Sequence, residues 1–266
     1  MSSDTIWLAG SALFYLTDGE QFIKYIDLPS DYTKIIKSTN GIYVLKRDAL
    51  LRLPDQRRLT FTRMPIKFDV LYGKIWVIDD DGFSVYRETD FKELHRIPLD
   101  KPLDFALATY GIRVYIATSD RLTIFDTQTA KYITDIPIES GGRAVILKFI
   151  DDKLFCLTHS ALYKIDKTSN RIESHIQIDN GKQLFFSTNE VHLYGAVIRD
   201  SIISFFDTQK CNKLKNIKLN VTDIATTVQS ERIYCLTPEE LIAISVEKLQ
   251  TISKLELTGG RRIIIK

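Results

Sequence analysis

The sequence predicts an all-β fold, a seven-bladed β-propeller of four-stranded antiparallel blades, on two observations. Seven times an apolar residue and then a ring-bearing one open a short apolar run: Ile6-Trp7, Ile42-Tyr43, Ile75-Trp76, Val114-Tyr115, Leu154-Phe155, Val191-His192 and Ile233-Tyr234. The second residues of these pairs stand 36, 33, 39, 40, 37 and 42 residues apart, a period that belongs to solenoids and propellers. No segment keeps helical spacing over three turns, which excludes a helical solenoid.

The repeat from Leu103 to Ile138 spells out the unit. Its segments Leu103 to Ala108, Ile112 to Thr118, Leu122 to Asp126 and Tyr132 to Ile138 are rich in β-branched and aromatic residues, and turn signals bound each of them. The second is apolar on both faces apart from Arg113, the pattern of a strand sandwiched between two sheets. The fourth interleaves Ile133, Ile136 and Ile138 with Thr134 and Asp135, the pattern of an outer strand with one wet face. Tyr32 to Lys37, Lys67 to Tyr72, Ala144 to Ile150, Leu184 to Ser187 and Val221 to Val228 read as the inner strands of other repeats. Ser119-Asp120-Arg121, His159-Ser160 and Asp80-Asp81-Gly82 read as tight turns between central strands. The first repeat begins at its second strand, Ile6, and residues 261–266 at the other end carry the missing one. The expectation is therefore a single domain over residues 1–266, with that strand joining the first blade and closing the ring.

Bulk properties narrow the function classes. With 44% apolar and 26% charged residues among 266, the chain can bury a core and is not a disordered segment. A net charge of +2 is too small to argue for nucleic acid on its own. Of the three cysteines, Cys156 and Cys235 fall at matching places inside apolar strands and read as small buried hydrophobes, while Cys211 lies in a polar turn. A reducing, cytoplasmic location is expected: Asp4 stands where a signal peptide would be basic, and no apolar run is long enough to span a bilayer. The sequon Asn220-Val221-Thr222 then carries no weight.

Two pairs of repeats share wording. Phe125-Asp126-Thr127-Gln128 recurs as Phe206-Asp207-Thr208-Gln209, and Cys156-Leu157-Thr158 as Cys235-Leu236-Thr237. The stretch Val114 to Ile138, with Ile124-Phe125-Asp126-Thr127 and Lys131 before the outer strand, resembles a blade of the YVTN and WD-repeat propeller superfamily; Ile165-Asp166-Lys167-Thr168 is a weaker copy. Each Asp in this wording can accept hydrogen bonds from backbone amides of the turn that follows. The Gly-His and terminal Trp-Asp of WD repeats are absent, and the tryptophans, Trp7 and Trp76, sit in second strands. The resemblance implies a rigid disc that offers its faces to partners and is rarely an enzyme.

No catalytic or metal constellation stands out, and no cofactor or metal is expected. Asp79-Asp80-Asp81-Gly82 lacks the later ligands of a calcium loop. His95, His159, His175 and His192 have no metal-ligand spacing, and Ser160 beside His159 has no strained elbow. The inner strands offer Lys34, Lys37, Asp69, Asp104, Lys148 and Asp223 to a central channel, with no histidine among them.

Charge is unevenly placed. Residues 46–74 carry +5, with Arg47, Arg52, Arg57, Arg58 and Arg63 among the basic groups, and residues 79–104 carry −4. A second basic run, Lys210, Lys213, Lys215 and Lys218, follows the central strands of the sixth repeat. In that repeat Gly195 to Ser201 reads as a lengthened central hairpin, with Ala196, Val197, Ile198 and Arg199 at an exposed tip. These arginines, lysines and the tip are the expected partner-binding residues, and a non-catalytic protein-interaction scaffold is the expected function. Two alternatives stand beside it: a channel-centred small-ligand binder or lactonase- or quinoprotein-like enzyme, and an accessory subunit for RNA binding or modification.

Overall fold

A computed structural model describes residues 6–9, 12–16, 22–29, 31–53, 55–138, 145–150, 152–188, 193–199, 201–226, 232–256 and 262–265. The strands are β1 (Ile6–Ala9), β2 (Ala12–Leu16), β3 (Phe22–Asp27), β4 (Lys34–Ser38), β5 (Gly41–Lys46), β6 (Ala49–Leu53), β7 (Arg57–Thr60), β8 (Lys67–Leu71) and β9 (Lys74–Asp79). There follow β10 (Gly82–Arg87), β11 (Glu93–Pro98), β12 (Asp104–Ala108), β13 (Arg113–Ala117), β14 (Arg121–Asp126), β15 (Tyr132–Pro137), β16 (Ile146–Ile150), β17 (Lys153–Leu157), β18 (Ala161–Asp166) and β19 (Arg171–Gln177). The last are β20 (Gln183–Thr188), β21 (Leu193–Arg199), β22 (Ile202–Asp207), β23 (Asn212–Lys218), β24 (Asp223–Ala225), β25 (Arg232–Leu236), β26 (Glu240–Ser245), β27 (Gln250–Glu256) and β28 (Arg262–Ile265).

The chain divides into two compact units. Asp31–Asp179 holds the four-stranded sheets β4-β5-β6-β7, β8-β9-β10-β11, β12-β13-β14-β15 and β16-β17-β18-β19. Met1–Ser30 with Asn180–Lys266 holds β28-β1-β2-β3, β20-β21-β22-β23 and β24-β25-β26-β27. All pairings are antiparallel, including β28 with β1, where Ile6 faces Ile265 and Ala9 faces Arg262. This is an all-β propeller of four-stranded antiparallel blades. The strands of the repeat at Leu103 to Ile138 fall within a residue or two of their expected bounds.

The paired apolar and ring residues form the core. Ile42, Tyr43, Ile75, Trp76, Val114, Tyr115, Leu154, Phe155, Ile233 and Tyr234 are all at most 8% exposed. Neighbouring sheets interdigitate: Ala106, Tyr115 and Ala117 of one share a cluster with Leu147, Leu154 and Cys156 of the next. Burying each of these larger side chains contributes about 1.5–3 kcal/mol. The rings also bolt sheet to sheet through their polar ends. Tyr43 donates its hydroxyl to Glu88 Oε1 at 2.6 Å, beyond the end of β10, and Tyr115 donates to Asn170 Oδ1 at 2.8 Å, before β19. Burial first, and the Glu88 carboxylate second, push the Tyr43 hydroxyl far above its usual range, so it stays protonated and keeps donating.

Two features of the strands were not visible as pattern. The register of the third strand on the outer one slips by one residue in β2/β3, β10/β11, β14/β15, β18/β19, β22/β23 and β26/β27. Each slip is a β-bulge with one unpaired outer residue. It leaves Tyr25, Ile133, Leu214 and Ile252 exposed, so Ile133 does not join the buried Ile136 and Ile138 with which the sequence reading grouped it.

The other feature corrects the reading of the sixth repeat. Val191 and His192 lie outside the described residues, and the strand begins at Leu193. Gly195 pairs with Phe206 and Ala196 with Phe205, as Val114 pairs with Phe125 and Tyr115 with Ile124. The apolar and ring positions are therefore filled by Gly195 and Ala196, and Phe205 and Phe206, both at most 1% exposed, supply the missing volume from the next strand. A Cβ on Gly195 would lie 1.9 Å from the Phe206 ring, so only glycine fits.

Candidate functional site

The arginines of β6, β7 and the loop that follows separate into two groups. Arg52 leans on Asp55, with Nε 3.1 Å from Oδ2, lies over the Phe91 ring at 5.7 Å and reaches the Glu88 carbonyl at 3.5 Å. Arg57 donates to the Thr89 carbonyl. Arg63 faces Asp80 at 3.2 Å and Asp81 at 3.4 Å. Arg63 thus joins the +5 segment to the −4 segment across the adjacent sheets β4–β7 and β8–β11, while Arg52 is paired within its own segment. Sequence reasoning placed the two segments on adjacent blades, but it could not see which side chains pair across them.

Arg47 and Arg58 remain. Both are exposed, neither forms an ion pair among the described residues, and Arg47 holds φ +48° in the β5–β6 turn. Together with Lys46, Asp31, Asp48, Ala49 and Leu51 they line a cavity of about 400 Å³. Lys46 pairs with Asp31 at 3.0 Å, and that hydrogen bond is the main reason the Asp31 carboxyl is held below its usual range. A second cavity, about 440 Å³, is lined by Asn40, Arg52, Leu53, Asp55, Glu88 and Thr89. Its floor is the buried Glu88 carboxylate, which accepts from Ser38, Asn40 and Tyr43, so this acid is a tie between sheets.

The expected tip in the sixth repeat is overturned. Val197 is 0% and Ile198 5% exposed, both inside β21; Arg199 ends that strand, and the link to β22 is only residues 200–201. The lengthened segment reads as a hairpin in sequence because the apolar run was aligned on Val191-His192 instead of Gly195-Ala196. Lys210, Lys213, Lys215 and Lys218 are exposed, the last three on the outer strand β23.

The inner strands carry the most concentrated polar chemistry. Lys34, Lys67 and Asp104 occupy the same first position in β4, β8 and β12, facing Leu45, Ile78 and Ala117. Each reaches to the next inner strand: Lys34 Nζ donates to Phe68 O at 3.0 Å, Lys67 Nζ donates to Phe105 O at 2.8 Å, and Asp104 Oδ2 accepts from Leu147 N at 2.7 Å. Lys67 also pairs with Asp104 at 2.5 Å. Asp69, Asp104 and Asp223 accept from the amides of Val70, Phe105 and Ile224. An inner strand is a sheet edge with unpaired amides and carbonyls, and these side chains satisfy them. Lys67 was missed as an inner-edge group; its signal was the shared strand position with Lys34 and Asp104. Lys37 lies three residues from Lys34, on the opposite face of β4.

Lys148, in β16, is half-buried, and this desolvation pulls its ammonium down to about 8, with Lys67 and Lys34 pressing the same way and Asp104 and Asp69 opposing. The unfolded chain binds the proton more tightly, so stability should rise with pH between about 8 and the ordinary lysine value near 10.4 and stay flat below 8. Lys148→Met should therefore add about 1–3 kcal/mol at pH 7 in phosphate-free buffer and flatten that rise, as read by urea unfolding at several pH values.

Other expected chemistry is located plainly. Asp126, Asp166 and Asp207 each accept from two turn amides, such as Thr129 N to Asp126 at 2.8 Å, which is the local task expected of them. In the acidic turn, Asp79 is buried and held by Arg96 at 3.0 and 3.1 Å, while Asp80 and Asp81 face Arg63. His159 and Ser160 sit in the turn between β17 and β18. Cys156 and Cys235 are 0% exposed, as expected of small core hydrophobes, and burial pushes the Cys235 thiol up to about 12. Among the described residues no group of three His, Cys, Asp or Glu could hold a metal ion, and no helix is long and apolar enough to cross a membrane.

No family model matches the chain, and no curated protein matches it. Solved structures do. Hydrazine synthase of Kuenenia stuttgartiensis is 12% identical with a TM-score of 0.66, over 85% of this chain and 86% of that one. Dihydro-heme d1 dehydrogenase NirN in complex with DHE is 11% identical with a TM-score of 0.62, over 97% and 74%. KlHsv2 with loop 6CD replaced by a Gly-Ser linker is 14% identical with a TM-score of 0.61, over 82% and 78%. At such identities the likeness is one of fold alone.

Proposed function

We propose that the chain is a non-catalytic docking protein that takes an acidic segment of a partner protein at the cavity beside Arg47 and Arg58. The observation that carries this reading is the division of the arginines: Arg52, Arg57 and Arg63 are engaged within the fold, whereas Arg47 and Arg58 line an open cavity with Lys46. Exposed charges at a rim govern encounter rate and partner choice more than stability. The polar side chains of the inner strands cap backbone edges, which supports the docking reading over an enzyme reading. Reversing both groups, Arg47→Glu with Arg58→Glu, should lower recovery of the native partner at least about tenfold at physiological salt and leave the thermal midpoint within about 2 °C. Unchanged recovery would rule the cavity out.

The reading extends to the architecture. We infer one domain whose sheets are the blades of a seven-bladed ring closed by β28, with the YVTN and WD-repeat type of blade and a reducing intracellular setting. The aspartate turns at Asp126, Asp166 and Asp207, the β28–β1 pairing and the buried free thiols support it. RNA is the second reading, favoured by the exposed lysines of β23; it requires binding that weakens steeply with salt.

A further inference from the structure

Two turns at one end of the sheets in the unit Asp31–Asp179 carry the same pair, a tyrosine followed by a glycine: Tyr72-Gly73 between β8 and β9, and Tyr110-Gly111 between β12 and β13. Tyr72 holds φ +57° and Tyr110 φ +55°, the left-handed region that suits glycine or asparagine and strains a bulky side chain. The equivalent β4–β5 turn is closed by Thr39 and Asn40, so the architecture does not demand a ring there. Nor do the rings fill the core: Tyr110 is 82% and Tyr72 52% exposed, beside the exposed Leu71 and Ile112. Strain kept at an exposed site points to a task outside the fold.

The two rings stand edge to face with centroids 6.0 Å apart, and neither hydroxyl makes a hydrogen bond among the described residues. Their footing is rigid. The buried Trp76 indole donates to Leu71 O at 3.0 Å, and a Cβ on Gly111 would lie 3.0 Å from both the Tyr72 and the Trp76 ring. Thr127 Oγ1 donates to the Gly111 carbonyl, and Glu88 N to Gly73 O at 3.0 Å. The charges around the rings are engaged: Arg87 pairs with Asp90 at 2.9 Å, Lys74 lies over the Trp76 ring at 5.2 Å, and Arg113 stands opposite Asp126 in the β13–β14 register. Rigid exposed rings with two hydroxyl donors and balanced charge suit a neutral segment with free carbonyls better than a phosphate backbone or an acidic peptide.

We propose that Tyr72 and Tyr110 form a docking platform for a proline-rich segment of a partner protein. A polyproline II helix presents apolar rings, has no internal hydrogen bonds and loses little entropy on binding, and its carbonyls accept from the tyrosine hydroxyls. Two of its residues rise ~6 Å, the spacing of the two rings. Asn40 of the β4–β5 turn donates to Glu88, which places the tyrosine turns at the end of the sheets opposite Arg47. The platform is therefore separate from the cavity for an acidic segment.

The test is calorimetric titration of the full chain with a proline peptide of about ten residues, a Gly-Ser peptide of the same length, and oligouridylate. Saturable binding of the proline peptide, weakened at least about tenfold in Tyr110→Asn and in Tyr72→Asn with thermal midpoints unchanged or raised, supports the platform. Asparagine relieves the left-handed strain, so a lost affinity is not a weakened fold. Tyr110→Phe, which keeps the ring and removes the donor, should bind more weakly than the parent and more tightly than Tyr110→Asn. Absence of saturable proline-peptide binding, equal binding of the Gly-Ser peptide, tighter binding of oligouridylate, or unchanged affinity in both asparagine variants overturns the proposal. So does a midpoint lowered by more than about 4 °C in Tyr110→Asn, since the ring would then serve the fold.

Discussion

Replacing Asp104 with alanine should cost about 2–4 kcal/mol, because it takes the acceptor from a buried backbone amide and from the half-buried Lys67 ammonium together. The carboxylate is 4% exposed and ties three elements at once: the Lys67 ammonium of β8, its own strand at Phe105 N, and Leu147 N of β16. Alanine returns none of these contacts, so an amide at the sheet edge and a lysine lose their acceptor together. Urea unfolding of Asp104→Ala against the parent measures the loss; a value under about 1 kcal/mol would mean that water serves these donors equally well. The double variant Asp104→Ala with Lys67→Met should recover part of the loss, since removing both charges is less costly than orphaning one.

Such a role for Asp104 was only half legible in the sequence. Periodicity places Asp104 on an inner strand, because apolar and ring residues recur with the spacing of the blades and the turns between them are short and polar. Periodicity cannot say that this carboxylate reaches across to Leu147, because the partner lies on the next repeat and the bond is to backbone, which has no sequence signature. The same limit explains the arginines. Arg63 and Asp80 are 17 residues apart, yet they face each other because one follows β7 and the other follows β9. The sixth repeat failed for a different reason: the ring that Tyr115 carries opposite Ile124 is carried there by Phe205 opposite Ala196, on the next strand, and an alignment on ring residues slides to His192. The bulges also left no signal, since an extra apolar residue in an outer strand looks like one more step of alternation.

The inner and outer edges of the sheets are protected by different means, and this bears on where ligands can bind. Outer strands such as β15, β23 and β27 are blunted by bulges and by exposed charged side chains. Inner strands are covered by long charged side chains that bridge to the neighbouring strand. The first device keeps other chains from adding a strand and leaves docking to the turns, where Arg47 lies. The second engages the lysine ammonium groups with neighbouring carbonyls and with Asp104.

Ending the chain at Gly260 should lower stability by about 2–6 kcal/mol, the worth of a short ladder of backbone hydrogen bonds at about 0.5–1.5 kcal/mol each. The deleted segment includes β28, whose four residues pair in register with all four of β1. Without it β1 becomes an unpaired edge in a sheet of three strands, and its amides and carbonyls on that side lose their partners. A β-strand bound at the far end of the sequence also closes a long loop, so its loss should raise the unfolding rate more than it slows folding of the earlier repeats. Differential scanning calorimetry and unfolding kinetics of the truncated chain test this. An unchanged thermal midpoint would refute ring closure by the C-terminal strand. Restoration of the midpoint by a synthetic peptide of residues 261–266, added in excess, would show that the strand acts through pairing with β1 and not through its covalent connection.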